Sequence, residues 1–242
     1  MANRVNLYSL SNRPTSYADR PETVSGLADW AWDVPFSFYA LTSGDPQRCA
    51  SLLTDGLYDD DSDDGDGDGG ASPPKRTVTN VYAVSGTFEA GFARLKRFLD
   101  VVRVIGQGVP YLAEQIDETS TFLAAHQDAF LLLETIEVDS MSSNDEAKLV
   151  AMVDDHVEKS RRVGAAIDAL PDDIARAAEL VKASAQKRAE PPFDVFYGMR
   201  FDKHFDNIVD DKTENPIGLA NWTTSLEYEL WNRAEYEAPT KG

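Results

Sequence analysis

The sequence predicts an α+β fold: a small, mainly antiparallel sheet that includes both terminal strands and packs against a layer of helices. Three observations support this fold class. Residues Arg4–Leu10 and 225–231, near the two ends of the chain, alternate apolar and polar side chains, as half-buried strands do. Residues 87–105 carry apolar side chains at helical spacing. Residues 143–190 hold two further helical patterns that meet at Pro171, which indicates a helical hairpin.

Two more strands are predicted between the terminal ones. Residues 77–85 read TVTNVYAVS, a β-branched run that ends at Gly86. Residues 130–138 read FLLLETIEV, and the alternation in their second half favours a strand over a helix. The sheet would contain the strand 77–85 and the two terminal strands, with the helices packed on one side.

The region before residue 58 contains two predicted short helices. Residues 11–35 are predicted to be irregular, because three prolines and a glycine interrupt them. Residues 36–41 are apolar and long enough for one or two helical turns. Asp45 and Pro46 fit the N-cap and first position of a helix that would run to Leu53.

The remaining helices are predicted from apolar residues that recur four and then three positions apart. One helix covers 87–105, and a second begins at Pro110. The segment SNDE then matches a capping box with Ser143 as the N-cap. The long helix that follows has an apolar stripe that includes His156, which favours a partly buried core histidine over a catalytic base. Pro171 ends this helix, and the next one starts just after it.

The 242 residues are expected to form a single α+β domain, 1–242. Within it, residues 59–76 are predicted to be a disordered acidic insertion loop. The stretch 59–70 contains seven acids, no base and no apolar residue, so it has nothing to offset the entropy lost on ordering.

Charge and cysteine content exclude several classes of protein. There are 42 Asp and Glu residues against 23 Lys and Arg, a net charge of −19, which disfavours nucleic-acid and anionic-membrane partners. The longest apolar run, 129–133, is far shorter than the ~20 residues that span a bilayer. One cysteine, Cys49, excludes a disulfide scaffold, and with no signal peptide it indicates a cytoplasmic protein.

Three segments carry a resemblance to a known family. They are MANRVNLYSLSNRP at the start, VSGLADWAWDVPF with SGDPQRC a little further on, and WTTSLEYELWNRAEYE near the end. Together they resemble a family of uncharacterised bacterial proteins. The resemblance implies a cytosolic protein without assigned activity, and it brings no catalytic residues. Against that family, the acidic run resembles a local insertion.

Motifs for common catalytic chemistry are absent from the sequence. No Gly-x-Ser-x-Gly and no phosphate-binding glycine loop occurs, and Cys49 has no partner base that a motif supplies. Asp202, His204 and Asp206 alternate, so on a strand they would share a face and are the candidate catalytic residues of a hydrolase. They could also contribute to a zinc or manganese site, but no second motif completes one, so we predict neither a metal nor a cofactor.

Two charged segments have both a functional and a plain interpretation. The acidic run matches the first half of an EF-hand loop starting at Asp60, but position 12 is Ala71, so a solvated loop is favoured. The basic residues on the helix after Gly86 could bind an anion, although a solvated helix face is favoured. These residues are Arg94, Lys96, Arg97 and Arg103.

The function predicted from these observations is a non-enzymatic, acidic, cytosolic interaction protein. Its partner would be a basic protein, and one form is an immunity-type protein that neutralises a basic toxin or effector. The candidate partner-binding residues are Trp30, Trp32, Phe38 and Tyr39, although core anchoring is the favoured interpretation of this aromatic stretch. A hydrolase with a carboxylate and histidine site near His204 remains the alternative function. The charge could also reflect only solubility or an unusual ionic habitat.

Overall fold

The computed structural model describes residues 3–58, 76–201, 217–219, 222 and 230–239. The described residues form an α+β fold, as predicted. The strands are β1 (Arg4–Leu10), β2 (Val24–Ala31), β3 (Gln47–Ala50), β4 (Leu57–Tyr58), β5 (Arg76–Val78), β6 (Tyr82–Thr87) and β7 (Phe130–Glu134). The helices are α1 (Phe36–Thr42), α2 (Phe88–Ile105), α3 (Leu112–Ala125), α4 (Ile136–Asp139), α5 (Glu146–Asp168), α6 (Ile174–Gln186) and α7 (Arg233–Glu237), with a 3-10 turn at Phe193–Phe196.

Five strands form the main sheet in the order β2-β1-β7-β6-β3, and every neighbouring pair is antiparallel. Leu7 of β1 pairs with Leu133 of β7, which pairs in turn with Val84 of β6. β4 and β5 form a separate two-stranded ribbon. Both edge strands, β2 and β3, therefore come from the first 50 residues, while the centre combines distant parts of the chain.

The two faces of the sheet are covered differently. Leu7 and Leu133 point into the main hydrophobic core beneath the helices, and we call this side the helix-covered face. Tyr8 and Leu132, the next residues along their strands, pack on the other side against Leu52, and we call it the loop-covered face. Because both faces are buried, β7 reads as a nearly continuous apolar run.

Helices α1, α2, α5 and α6 form the layer over the helix-covered face. The predicted apolar stripe of α2 is confirmed, since Leu95, Phe98 and Val102 are all buried. A Cβ on Gly91 would lie 1.6 Å from the carbonyl oxygen of Leu41, so only glycine lets α1 approach α2 so closely. No helix in the described part of the chain is long and apolar enough to span a bilayer.

The helices on either side of Pro171 are confirmed as elements, although α5 begins later than predicted. Ser143 is not the N-cap. Asp145 is, and its carboxylate accepts a hydrogen bond from the backbone N–H of Lys148 at 2.9 Å. Glu146 instead accepts hydrogen bonds from Thr79, which joins α5 to the loop before β6. α5 packs mainly on α1, and α6 packs mainly on α2.

Two predictions for the first 50 residues are wrong. The segment 11–35 is not wholly irregular, because β2 pairs along its length with β1, and Gly26 lies where the register shifts. The predicted helix from Asp45 is instead strand β3. Asp45 has a φ of 51°, and its carboxylate accepts hydrogen bonds from Arg13 and Gln47 rather than capping a helix.

Two predicted strands are shorter in the structure. The segment 77–85 divides into β5 and β6, with a turn between them. The segment 130–138 is a strand only in its first half, because residues Ile136–Asp139 form the helical turn α4. The Thr135 hydroxyl donates a hydrogen bond to the Asp139 carboxylate at 2.6 Å, which ties that turn together.

Several predictions concern residues outside those that the structure describes. They are the acidic loop apart from Arg76, the candidate residues Asp202, His204 and Asp206, and the C-terminal strand 225–231 apart from Leu230 and Trp231. Leu230 is buried on the loop-covered face.

Candidate functional site

The aromatic residues predicted to bind a partner lie mainly in the core. Trp30 and Phe38 are 2% and 1% exposed and pack beneath the helices, so neither can contact a partner at the surface. Tyr39 is also buried. Trp32 is the exception, with 51% of its surface exposed. The burial of Trp30, Phe38 and Tyr39 corrects their prediction as partner-binding residues and agrees with core anchoring, the interpretation that the sequence favoured.

The candidate hydrolase residues Asp202, His204 and Asp206 lie outside the described residues. The hydrolase hypothesis therefore stays a prediction. Among the residues that are described, no three His, Cys, Asp or Glu side chains gather closely enough to hold a metal ion.

A chain of hydrogen bonds runs through His156 on α5. Its Nδ1 lies 2.7 Å from the Tyr39 hydroxyl oxygen on α1, and its Nε2 lies 3.2 Å from an Asp139 carboxylate oxygen on α4. The imidazole also stacks on the Tyr39 ring, with centroids 5.8 Å apart. Three helices are thus joined through one side chain, which agrees with the sequence interpretation of a partly buried core histidine.

The same hydrogen bonds determine whether either nitrogen of His156 is free to act on a substrate. A carboxylate at Nε2 favours a proton on that nitrogen, so Nδ1 accepts the Tyr39 hydroxyl proton. Burial, and then the nearby carboxylates of Asp33, Asp155 and Asp139, raise the pKa of Tyr39 well above its ordinary value, so it remains a hydroxyl donor. Although His156 borders an open cavity of about 490 Å³, both of its nitrogens already have partners. The arrangement positions helices and leaves no nitrogen for a substrate.

A second polar cluster lies on the loop-covered face. Glu134 is fully buried, and its carboxylate accepts hydrogen bonds from the Ser51 hydroxyl at 2.8 Å and the Leu52 N–H at 2.7 Å. Burial raises the pKa of Glu134 to about 7, although these hydrogen bonds and Arg20 oppose the rise. Asn6, its register partner on β1, is fully buried with both amide atoms unpaired.

Cys49 borders the same cluster and is not an activated nucleophile. It is buried, and that burial raises the pKa of its thiol far above the range in which a thiolate forms. The Glu134 carboxylate adds to the rise. The sequence interpretation of Cys49 as a small core residue agrees with this position.

The predicted basic patch on α2 is neutralised by ion pairs. Arg94 contacts both carboxylate oxygens of Asp168 and the carbonyl oxygen of Ser43. Arg103 pairs with Asp117 on α3. These pairs leave little positive charge on α2 with which to hold an anion, as the solvated-face interpretation expects.

Helix α3 carries the most conspicuous surface feature of the described chain. Glu114, Asp117 and Glu118 form an exposed row that we call the acidic row. Just before the helix, Tyr111 is 75% exposed and has a φ of 66°, an unusual conformation for a residue other than glycine. No sequence motif marks these residues. The only signal in the sequence is a tyrosine that is followed closely by several carboxylates.

A cavity of about 320 Å³ opens beside the acidic row. Two of its lining residues carry buried polar atoms that find no hydrogen-bond partner among the described residues: the side-chain carbonyl oxygen of Gln115 and the indole N–H of Trp222. The lining residues are Gln115, Glu118, Thr119, Phe122, Leu219 and Trp222.

Comparison with known proteins identifies a family without a known role. A family model described as Domain of unknown function (DUF7822) matches residues 11–184, well over half of the chain. This match agrees with the resemblance to an uncharacterised family. No curated protein and no solved structure matches the chain.

Proposed function

The chain belongs to the DUF7822 family, and we propose that it is a binding protein for a basic protein partner rather than an enzyme. Its more specific form is a cytoplasmic immunity-type protein that neutralises a basic toxin or effector.

The observation that supports this proposal is how the charges are distributed. At least ten described arginines form ion pairs with carboxylates of the same chain. Since the chain has 42 acids and 23 bases, such pairing leaves a surplus of carboxylates at the surface. Surplus negative charge attracts a basic partner and repels a phosphate backbone.

The surface before and along α3 supplies a place for such a partner. Exposed tyrosines are frequent anchors of protein interfaces, because they bury much area at a small cost in side-chain entropy. Tyr111 is such a residue, and Glu114 and Glu118 follow it within two helical turns. We therefore place the partner at Tyr111 and the acidic row.

The experiment begins with a photo-crosslinking amino acid at position 111 of the full chain, compared with the same amino acid at exposed position 174. A protein captured at 111 but not at 174 is then purified and titrated against the unmodified chain. We expect that protein to be basic, and we expect its Kd to rise at least about tenfold between low salt and about 0.5 M salt.

A pair of variants tests the location. Glu114→Gln combined with Glu118→Gln is expected to weaken binding more than Glu179→Gln combined with Glu190→Gln, which removes the same charge from exposed positions elsewhere. The proposal fails when the captured protein is acidic or neutral, when its Kd is independent of salt, or when position 111 captures nothing.

A further inference from the structure

We propose that the cavity beside α3 binds the guanidinium group of an arginine side chain presented by the basic partner. This inference rests on the proposed function, and it names the residue type that the surface recognises. The site consists of Gln115, Glu118, Phe122 and Trp222.

The first argument is the pair of unsatisfied polar atoms. Gln115 contributes a buried acceptor, its carbonyl oxygen, and Trp222 contributes a buried donor, its indole N–H. A buried polar atom without a partner is unfavourable, so two such atoms on residues that line one cavity favour a ligand that pairs with both. An arginine residue does so when its guanidinium donates to Gln115 and a backbone carbonyl next to it accepts from Trp222.

The second argument is charge. Glu118 is the only charged residue among those described as lining the cavity, so the cavity favours a cation. Its carboxylate can accept two hydrogen bonds from the planar guanidinium, which the single ammonium of a lysine cannot match in geometry. An anionic ligand would meet this carboxylate and the surplus negative charge of the chain.

The third argument is the aromatic wall. Phe122 and Trp222 both line the cavity, and the Trp222 ring is held edge-on by Phe38, with centroids 5.9 Å apart. A guanidinium over an aromatic face gains cation–π attraction. The volume of about 320 Å³ lies at the lower end of the ~300–1,000 Å³ usual for ligand cavities, a size that suits one side chain.

The direct test uses Nα-acetyl-L-arginine amide as the probe and the full chain labelled with ¹⁵N at its tryptophans. We expect the probe to shift one indole N–H signal, the one that is lost in Trp222→Phe. We expect Glu118→Gln to weaken binding by about tenfold or more, and Glu179→Gln, an exposed carboxylate on α6 outside the cavity, to leave it within about twofold. A melting curve for each variant confirms that it remains folded.

The uncharged analogue Nα-acetyl-L-citrulline amide separates recognition of a cation from recognition of an amide. We expect it to bind at least about tenfold more weakly than the arginine probe. Equal binding of the two probes overturns the inference, as does an equal effect of Glu118→Gln and Glu179→Gln. A Gln115→Met variant, which removes the orphan acceptor, is expected to weaken the arginine probe as well.

The outcomes for this site and for the proposed function are distinct. If a basic partner binds in a salt-dependent manner but the arginine probe does not bind, the arginine site is wrong and the proposed function stands. If the probe binds as expected but no basic protein is captured at Tyr111, the cavity is confirmed as a guanidinium site and the proposed function fails.

Discussion

The two faces of the main sheet are buried by different means. The helix-covered face is closed by amphipathic helices, whose backbone groups are already paired within each helix, and polar side chains buried there pair with one another, as Thr42 does with Ser160. The loop-covered face is closed by irregular segments, including Ser51 and Leu52, whose backbone and hydroxyl groups need partners. Glu134 provides these partners from within the sheet. A layer of loops therefore calls on a buried carboxylate to pair its backbone groups, whereas the backbone of a helical layer is already paired.

The largest expected effect tests the helix-covered face. Phe98 is fully buried, and its ring stacks on Phe196 at 5.7 Å between centroids. Phe98→Ala is expected to lower the free energy of unfolding by about 3–5 kcal/mol. Chemical denaturation measures it, and Phe92→Ala, on a partly buried position of the same helix, serves as the control. A loss no larger than that of the control would show that this core is loosely packed.

An effect nearly as large, but dependent on pH, is expected on the loop-covered face. The folded pKa of Glu134 is about 7 against an ordinary 4.5, so the folded state binds a proton more tightly than the unfolded state. Stability from this group is therefore present below about pH 4.5 and is lost as the pH rises towards 7.

Glu134→Gln keeps a neutral side chain of the same shape and abolishes that loss. Relative to the native chain, we expect the variant to be more stable at pH 8 by about 3 kcal/mol, and nearly equal at pH 4.5, because one pKa unit corresponds to about 1.4 kcal/mol. Denaturant midpoints at the two pH values measure this. A variant that is destabilised at both would mean that the ionised carboxylate is what the loop requires.

The smallest expected effects come from two neighbouring residues of β1. Substitutions there are expected to change the free energy of unfolding in opposite directions on the two faces. Asn6→Val removes two unpaired buried polar atoms from the loop-covered face, and we expect it to raise the free energy of unfolding by about 1 kcal/mol. Leu7→Val, the neighbouring residue on the helix-covered face, is expected to be destabilising because it leaves a void. Thermal melts of both variants measure the contrast. A loss of stability in Asn6→Val would show that the amide has a structural role.

The helix-covered face was largely predictable because its signals are local. The apolar stripe of α2 is determined by the spacing of residues within one helix, and burial in the structure confirms it. Strand β2 was missed because its support comes from pairing with β1, and its glycine and flanking prolines resemble a loop. Asp45 carries the residue pattern of an N-cap, but its carboxylate is bound by Arg13 from another part of the chain.

The candidate site was less predictable for the same reason. Gln115 and Trp222 are distant in sequence and become neighbours only through the packing of α3. Gln115 belongs to no motif, and Trp222, although it opens the C-terminal segment that carries the family resemblance, was not singled out as a site residue. The predicted aromatic surface at Trp30 and Phe38 was wrong because composition reports the aromatic residues but not the side of the strand or helix on which they lie.

The crossing of α1 and α2 gives a simple criterion for comparing relatives. The carbonyl oxygen of Leu41 occupies the space in which any side chain at position 91 would begin. A homologue with alanine or a larger residue at the position that corresponds to 91 must separate the two helices. The residue at the position of Gly91 can therefore distinguish relatives that keep the close approach of α1 to α2 from relatives in which these helices have moved apart.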